Sequence, residues 1–376
     1  MDNTSQINLR KLDHIRIVLE KGVDFPGNCK EIYESIILIH KAFPETDLED
    51  VDLTTEFLGY TLNAPLMITG MTGGPEETIK INEKLAKLAE TYNIAIGVGS
   101  QRPLLEHPDN ATILRSYRIV REIARNVPVI GNIGANTLQD ADPKMIVKLV
   151  ELINADAMAI HLNPGQEAIQ PEGDTRFNVS ILGKIEELLD LLPVPIIIKE
   201  VGNGLSLEVV KKFSNMGIRY FDVAGACGTN WILVEKYRQK TSEEDRIIAE
   251  KFSKWGLPTP FSIIEARYVS PQSTIIASGG VWDGVRAIKN IVIGADLNGL
   301  AKPILKKLLL EGYDSASKFI ETYIKEMKLT MFLIGASDLN DAKRKPVILL
   351  EPFMSYFKMR GINLDNYLKY IRAGVK

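Results

Sequence analysis

The sequence predicts an α/β fold, a closed (β/α)8 barrel with an N-terminal extension, an insertion after the sixth strand and C-terminal helices. Three observations predict it. Eight short, nearly continuous β-branched and apolar runs recur along the chain, the pattern of parallel strands covered on both faces. Segments with apolar residues at three- and four-residue spacing alternate with them, as crossover helices do. The end of each run also carries small or polar residues, with no reversal point of the kind that marks an open doubly wound sheet.

In order, the runs are 65–70 (PLMITG), 94–99 (IAIGVG), 128–131 (PVIG), 157–162 (AMAIHL), 195–200 (PIIIKE), 220–224 (YFDVA), 274–279 (TIIASG) and 295–300 (ADLNGL). The helical segments between them include 82–93, 142–154, 180–192, 207–217 and 282–294. The barrel is expected over 61–320. Its sixth connection, with an insertion at about 230–272, is longer than ordinary loops and rich in charge. That stretch reads either as a helical cover for the barrel mouth or as a surface excursion. Residues 1–60 precede the first strand as an extension. Pro303 suits the first turn of the eighth barrel helix. Residues 321–376 read as a helical tail, apolar enough to close the barrel base or to meet another subunit.

A chain of 376 residues with 45% hydrophobic residues can bury one large core. Its net charge of −3 gives no global attraction for nucleic acid or an anionic membrane, so any anion site is local. No apolar run is long enough to span a bilayer, and the polar start lacks the apolar stretch of a signal peptide. The two cysteines, Cys29 and Cys227, form neither a disulfide framework nor a zinc spacing. A reducing cytoplasm is therefore the expected location.

Barrel chemistry gathers at the C-terminal ends of the strands. The first strand runs through Thr69 into Gly70-Met71-Thr72-Gly73-Gly74, a loop that lets backbone N–H groups approach a flat ring or a phosphate. The second ends in Ser100-Gln101-Arg102, a hydroxyl, an amide and a guanidinium suited to phosphate. The third ends in Gly131-Asn132, the amide able to meet a ring edge from either side. The fourth gives His161, Asn163, Gln166 and Glu167 within seven residues, groups for hydrogen bonding, metal binding and proton transfer. The fifth ends in Lys199, which offers positive charge to an anionic ring or pairs with Asp222; strand alternation makes the adjacent Glu200 the poorer partner. The sixth leads to Cys227-Gly228-Thr229-Asn230 and the seventh to Gly279-Gly280. The eighth reaches Ala301-Lys302-Pro303, where a helix start completes the usual barrel phosphate site.

These residues carry a resemblance. The stretch RKLDHI at 10–15, MTGG at 71–74, SQR at 100–102, GNIG at 131–134 and IHLNP at 160–164 resembles type 2 isopentenyl-diphosphate isomerases. QE at 166–167, QPEGD at 170–174, KEVGNG at 199–204, GTNW at 228–231 and SGGV at 278–281 continue it, the QE–QPEGD block being the most specific part. The resemblance implies interconversion of isopentenyl and dimethylallyl diphosphate over reduced FMN, with Mg2+ and with NAD(P)H as reductant. It implies Gln166 and His161 at the reacting carbons. Arg10, Lys11, Ser100, Gln101, Arg102 and Gln166 would meet the diphosphate substrate. Glu167 would hold the metal. Thr69, Gly70, Met71, Thr72, Ser100, Asn132, Lys199, Thr229, Gly280, Ala301 and Lys302 would hold FMN. A homo-oligomer, tetramer or octamer, is expected.

Three positions depart from that pattern. Cys227 stands where glycine is usual, Trp282 where arginine is common and Gly165 where a larger apolar residue is usual. They keep two other readings open. One is an inosine-monophosphate-dehydrogenase-like barrel with Cys227 as nucleophile, and the other is a non-catalytic flavin-binding barrel.

Overall fold

The computed structural model describes residues 3–373, with side chains from Arg10 onward. Eight parallel strands close into a barrel in the order seven, eight, one, two, three, four, five, six. They are Leu66–Ile68, Ala95–Gly97, Val129–Gly134, Ala157–Leu162, Ile196–Glu200, Tyr220–Asp222, Thr274–Ala277 and Leu297–Leu300. All eight expected runs are strands. The ring shuts where strand eight pairs with strand one, Asn298 against Leu66 and Leu300 against Ile68.

Strand alternation sorts the side chains into two cores. Met67, Ala95, Ile130, Ala157, Ile197 and Leu297 fill the barrel interior, whereas Ile68, Ile96, Ile196 and Ile198 pack under the surrounding helices. A hairpin, Thr55–Phe57 with Tyr60–Leu62, plugs the base by adding Phe57 and Leu62 to the interior core. Helix boundaries follow local chemistry. Asp142 accepts from the Lys144 amide at the start of Pro143–Ile153, and Asn154 ends that helix in the left-handed region. Pro303 lies in the first turn of Lys302–Leu310.

Three expectations need correction. The stretch at about 230–272 is not all insertion: Trp231–Lys236 and Glu243–Lys251 are extra, but Thr259–Val269 packs against Leu207–Asn215 and strand seven as a barrel helix. The tail is not all helical. Val347–Leu349 is a strand, antiparallel to Ile36–Leu38 of the N-terminal extension, so the two ends of the chain share a small sheet. The cysteines, read as unpaired, form a disulfide. Their Cα atoms lie 5.1 Å apart across a sequence separation of 198 residues. Folding of the extension back over the loop after strand six brings them together, which spacing alone could not reveal. The cysteine count therefore no longer argues for a reducing compartment.

Gly284 opens the helix Gly284–Val292 where it meets the long helix Tyr313–Leu333. A Cβ there would fall 2.5 Å from the Tyr323 carbonyl oxygen and 2.6 Å from the Met327 amide nitrogen. Gly284→Ala should therefore cost about 1–3 kcal/mol through overpacking. Calorimetry should record a lower Tm; an unchanged Tm would mean the two helices can separate freely.

Candidate active site

A cavity of about 250 Å³ opens at the C-terminal rim of the barrel, roofed on one side by Arg10, Lys11 and His14 of the helix Asn3–Glu20. Every residue to which the resemblance assigns a role in catalysis or in binding substrate, metal or FMN lines it except Gln101. Gln101 is fully buried in the wall. Its side-chain oxygen accepts from the Asn132 amide at 3.0 Å and its side-chain nitrogen donates to the Leu149 carbonyl at 3.1 Å. Its own amide donates to the Asn132 carbonyl. The expected diphosphate contact is thus unsupported, because Gln101 spends its polar groups fixing strand three.

Strands three, four and five form one electrostatic wall. Asn132 donates through Nδ2 to the Val98 carbonyl at 3.1 Å, which leaves its Oδ1 to accept from Nδ1 of His161 at 2.8 Å. That bond fixes the proton on Nδ1 and leaves Nε2 as an acceptor. Burial, reinforced by the charges of Lys199 and Lys11, holds the His161 imidazole down to about 3. Lys199 lies 3.1 Å from Asp222 and donates to the Glu200 main-chain oxygen, so Asp222 is its carboxylate partner, as alternation implied.

Helix Pro164–Ile169 presents Gln166 and Glu167, which are held differently. The Glu167 carboxylate is 8% exposed and accepts from Asn163 Nδ2 at 2.9 Å and the Asp174 amide at 2.8 Å. No Lys or Arg ion pair to it occurs among the described residues. Gln166 donates to Glu235 at 2.9 Å and accepts from Asn163 at 3.1 Å. Glu235, 0% exposed, also faces His14 Nε2 at 2.8 Å and Arg238 at 3.0 Å. Burial alone would raise its carboxyl, but His14, Arg238 and the Gln166 amide outweigh that and hold it below the usual carboxylate range. Arg238 continues to Glu172, which lies 3.7 Å from Arg10. The sequence reading missed Glu235 and Arg238. Their only signal is position, since Glu235 sits one helical turn after Trp231 in a helix capped by Asn230.

Lys11 is engaged rather than free. Its ammonium donates to the Gly73 carbonyl, to the Ser100 carbonyl at 2.9 Å and to the Tyr117 hydroxyl at 2.7 Å. Burial and the Arg10 charge hold the amine well below its ordinary value. It fastens the N-terminal helix onto the loops of strands one and two. Arg102 donates its Nε to Glu106 at 2.7 Å beside the cavity.

The three departures acquire physical reasons. Cys227 is fully buried and disulfide-bonded, so it does not point a thiol at the cavity, and the cysteine-nucleophile reading loses its basis. The cation absent at Trp282 reappears one helical turn later. Arg286 donates to the Gly280 carbonyl at 3.0 Å, at the expected phosphate loop. A Cβ on Gly165 would fall 2.9 Å from Ile232 Cδ1, so Ile232 already occupies that space.

The residues fit a flat, anionic cofactor. Gly70 sits where a Cβ would be 2.1 Å from the Val98 oxygen, so the floor admits backbone only. Gly279 and Gly280, at φ +89° and +77°, turn the loop after strand seven in a way side chains disfavour. Lys199 and Lys302 line the same cavity, paired with Asp222 and Asp24, and Arg286 stands behind the Gly280 carbonyl.

A profile of FMN-dependent dehydrogenases matches residues 256–349. In fold, the chain is similar to a mandelate oxidase variant solved with an FMN adduct, with a TM-score of 0.64 at 14% identity, covering 93% of this chain and 100% of that one. A lactate oxidase from Pediococcus acidilactici gives a TM-score of 0.63 at 15% identity, covering 93% and 95%. The chain is thus a (β/α)8 barrel of the architecture that FMN-dependent oxidases use.

Sequence relatives narrow this. The chain is 40% identical to an isopentenyl-diphosphate delta-isomerase of Sulfurisphaera tokodaii, over 98% of both chains. It is 41% identical to one of Ignicoccus hospitalis and 38% to one of Metallosphaera sedula, each over 97% of this chain and 98% of the relative. It belongs to the isopentenyl-diphosphate delta-isomerase family.

The neutral His161 has a consequence for stability. The unfolded chain takes up its proton near the ordinary value of 6.5, whereas the folded chain refuses it down to about 3. This contribution is complete above pH 6.5 and should fall as pH drops toward 3, by up to about 1.4 kcal/mol per pH unit. His161→Gln should flatten the acid limb of Tm against pH, and nitrogen NMR should find one imidazole that does not titrate between pH 5 and 8. A His161 ring titrating near 6.5 would contradict this.

Proposed function

We propose that the chain interconverts isopentenyl and dimethylallyl diphosphate with reduced FMN and Mg2+ bound. A double bond moves by one carbon as one proton is added and another is removed. The observation that carries the reading is the contrast between Gln166 and Glu167 on one helical turn at the cavity. Gln166 is locked onto a carboxylate that pairs with His14 and Arg238, while Glu167 is buried with no Lys or Arg ion pair among the described residues. A buried carboxylate bonded only by amides is costly unless a cation joins it.

Mg2+ would be held by Glu167, with water and diphosphate oxygens filling most of its positions. Thr69, Gly70, Met71, Thr72, Ser100, Asn132, Lys199, Thr229, Gly280, Ala301 and Lys302 would hold FMN, with Arg286 added near its phosphate. Reduced FMN supplies an electron-rich ring that stabilises positive character at the reacting carbon. NAD(P)H would be its reductant.

The chain's own residues bind, orient and exclude water. Arg10, Arg102 and Ser100 meet the diphosphate, while Lys11 holds the roof that carries Arg10. Gln166 has no useful pKa, so it orients rather than titrates. His161 presents Nε2 as a neutral acceptor. The helix Trp231–Lys236 and the N-terminal helix cover the mouth, with Trp231 edge-on to His14 at 5.3 Å. A homo-oligomer, tetramer or octamer, is supported by the outward-facing Ile37, Ile348, Leu350 and Met354 beside the small terminal sheet. Its diphosphate substrate and nicotinamide reductant suit a cytoplasmic enzyme. No helix among the described residues is long and apolar enough to cross a membrane.

An anaerobic assay with isopentenyl diphosphate, Mg2+, FMN and a reductant should show turnover. Gln166→Ala and Glu167→Ala should each lower kcat/KM by about 100-fold, and Glu167→Ala should also raise the Mg2+ requirement. No turnover by the parent chain would remove the proposed reaction. Unchanged rates in both variants would remove the site assignment.

A further inference from the structure

Residues 23–29 take no part in the site as read from the sequence, yet they reach the three loops, after strands six, seven and eight, that carry Thr229, Gly280 and Lys302 of the expected FMN set. On the loop after strand six, the Phe25 amide donates to the Gly228 carbonyl at 2.8 Å, and the Asn230 amide donates to the Val23 carbonyl at 2.7 Å. Asp24 forms a β-bridge with Thr229. On the loop after strand eight, both Asp24 carboxylate oxygens accept from Lys302 at 2.8 Å. On the loop after strand seven, Arg286 spans the gap, donating to the Asn28 carbonyl and to the Gly280 carbonyl, each at 3.0 Å. The segment ends in the disulfide between Cys29 and Cys227.

We propose that residues 23–29 are the outer wall of the flavin-phosphate site, a strap whose fastening by the Cys29–Cys227 disulfide sets how slowly FMN leaves. This rests on the FMN reading above.

The electrostatics explain why the fastening is covalent. Lys302 is the cation expected to meet the phosphate, and in this conformation Asp24 neutralises it. An arriving phosphate dianion competes for Lys302 and repels the Asp24 carboxylate. The ionic clasp is therefore weakest when the cofactor is seated. Two backbone bonds, the Arg286 bridge to Asn28 and the disulfide remain. The disulfide keeps strap and loop at high local concentration, so each opening is followed by reclosure.

The strap is also reducible. Cys29 is partly exposed, while Cys227 is buried. A dithiol enters at Cys29: its thiolate forms a mixed disulfide with Cys29 Sγ, and Cys227 leaves as a thiolate and takes a proton. The second thiol of the reagent then displaces Cys29, which is also protonated. Two electrons and two protons pass from the dithiol to the chain, and the reagent ends as its own cyclic disulfide.

The test follows FMN release from the FMN-loaded protein by the rise in free-flavin fluorescence after dilution, before and after treatment with dithiothreitol. Thiol titration tracks reduction of both cysteines, and hydrogen exchange follows the Phe25 and Asn230 amides. Reduction should speed release about tenfold and raise exchange at those two amides while the barrel amides stay protected. Cys29→Ser should release FMN at the reduced rate and ignore the reagent. The proposal is overturned if fully reduced protein holds FMN as long as the oxidised form, if Cys29→Ser matches the oxidised parent, or if both thiols titrate freely in air. A chain that retains FMN equally in both redox states loses only the strap. One that retains no FMN in either state loses the FMN reading and the strap with it.

Discussion

The parallel ladder between strands eight and one is the contact on which the rest of the molecule depends. Parallel strands cannot be joined by tight turns, so every connection must cross back over the outside. All eight C-terminal ends therefore meet on one rim, and closing the ring between Asn298 and Leu66 sets their spacing. Without that closure, Lys199 on strand five and Asp222 on strand six would still be neighbours. Thr69 and Leu300, which share a backbone bond across the seam, would not. Nor would the glycine floor of strand one lie beside the Lys302 helix start. The cavity is a property of the ring more than of any single loop.

Within that rim, two buried carboxylates divide the site. Glu235 is surrounded by His14, Arg238 and the Gln166 amide, all supplied by the chain. Glu167 is bonded, among the described residues, by amides. One charge is balanced at all times and serves as a fixed post. The other has no Lys or Arg partner among the described residues. Placing both on the sides of Gln166 makes that amide rigid without making it acidic.

The strands and the rim residues were legible because parallel barrels leave a strong local signature: a continuous apolar run followed at once by polar residues. Seventeen of the eighteen residues given a catalytic or binding role do line the cavity. Gln101 failed for a local reason. A side chain following a strand can turn into the wall as readily as into the mouth, and the Asn132 amide drew it inward. The misses lay where contact depends on long-range return of the chain. The disulfide spans 198 residues. The terminal sheet joins residues 36–38 to residues 347–349. Glu235 sits in a charge-rich stretch whose sequence does not mark which carboxylate His14 and Gln166 cover.

The small sheet between the two ends of the chain also orders events during synthesis. Ile36–Leu38 leaves the ribosome early, but its partner strand, Val347–Leu349, follows some three hundred residues later. The barrel seam likewise waits for strand eight. The helix bearing Arg10 and His14 meets early partners through Lys11 at Gly73 and Ser100, but its partner Glu235 emerges only after strand six. The roof of the cavity precedes in the chain the helix it leans on, so a chain ending before Glu235 would carry His14 without its buried carboxylate partner.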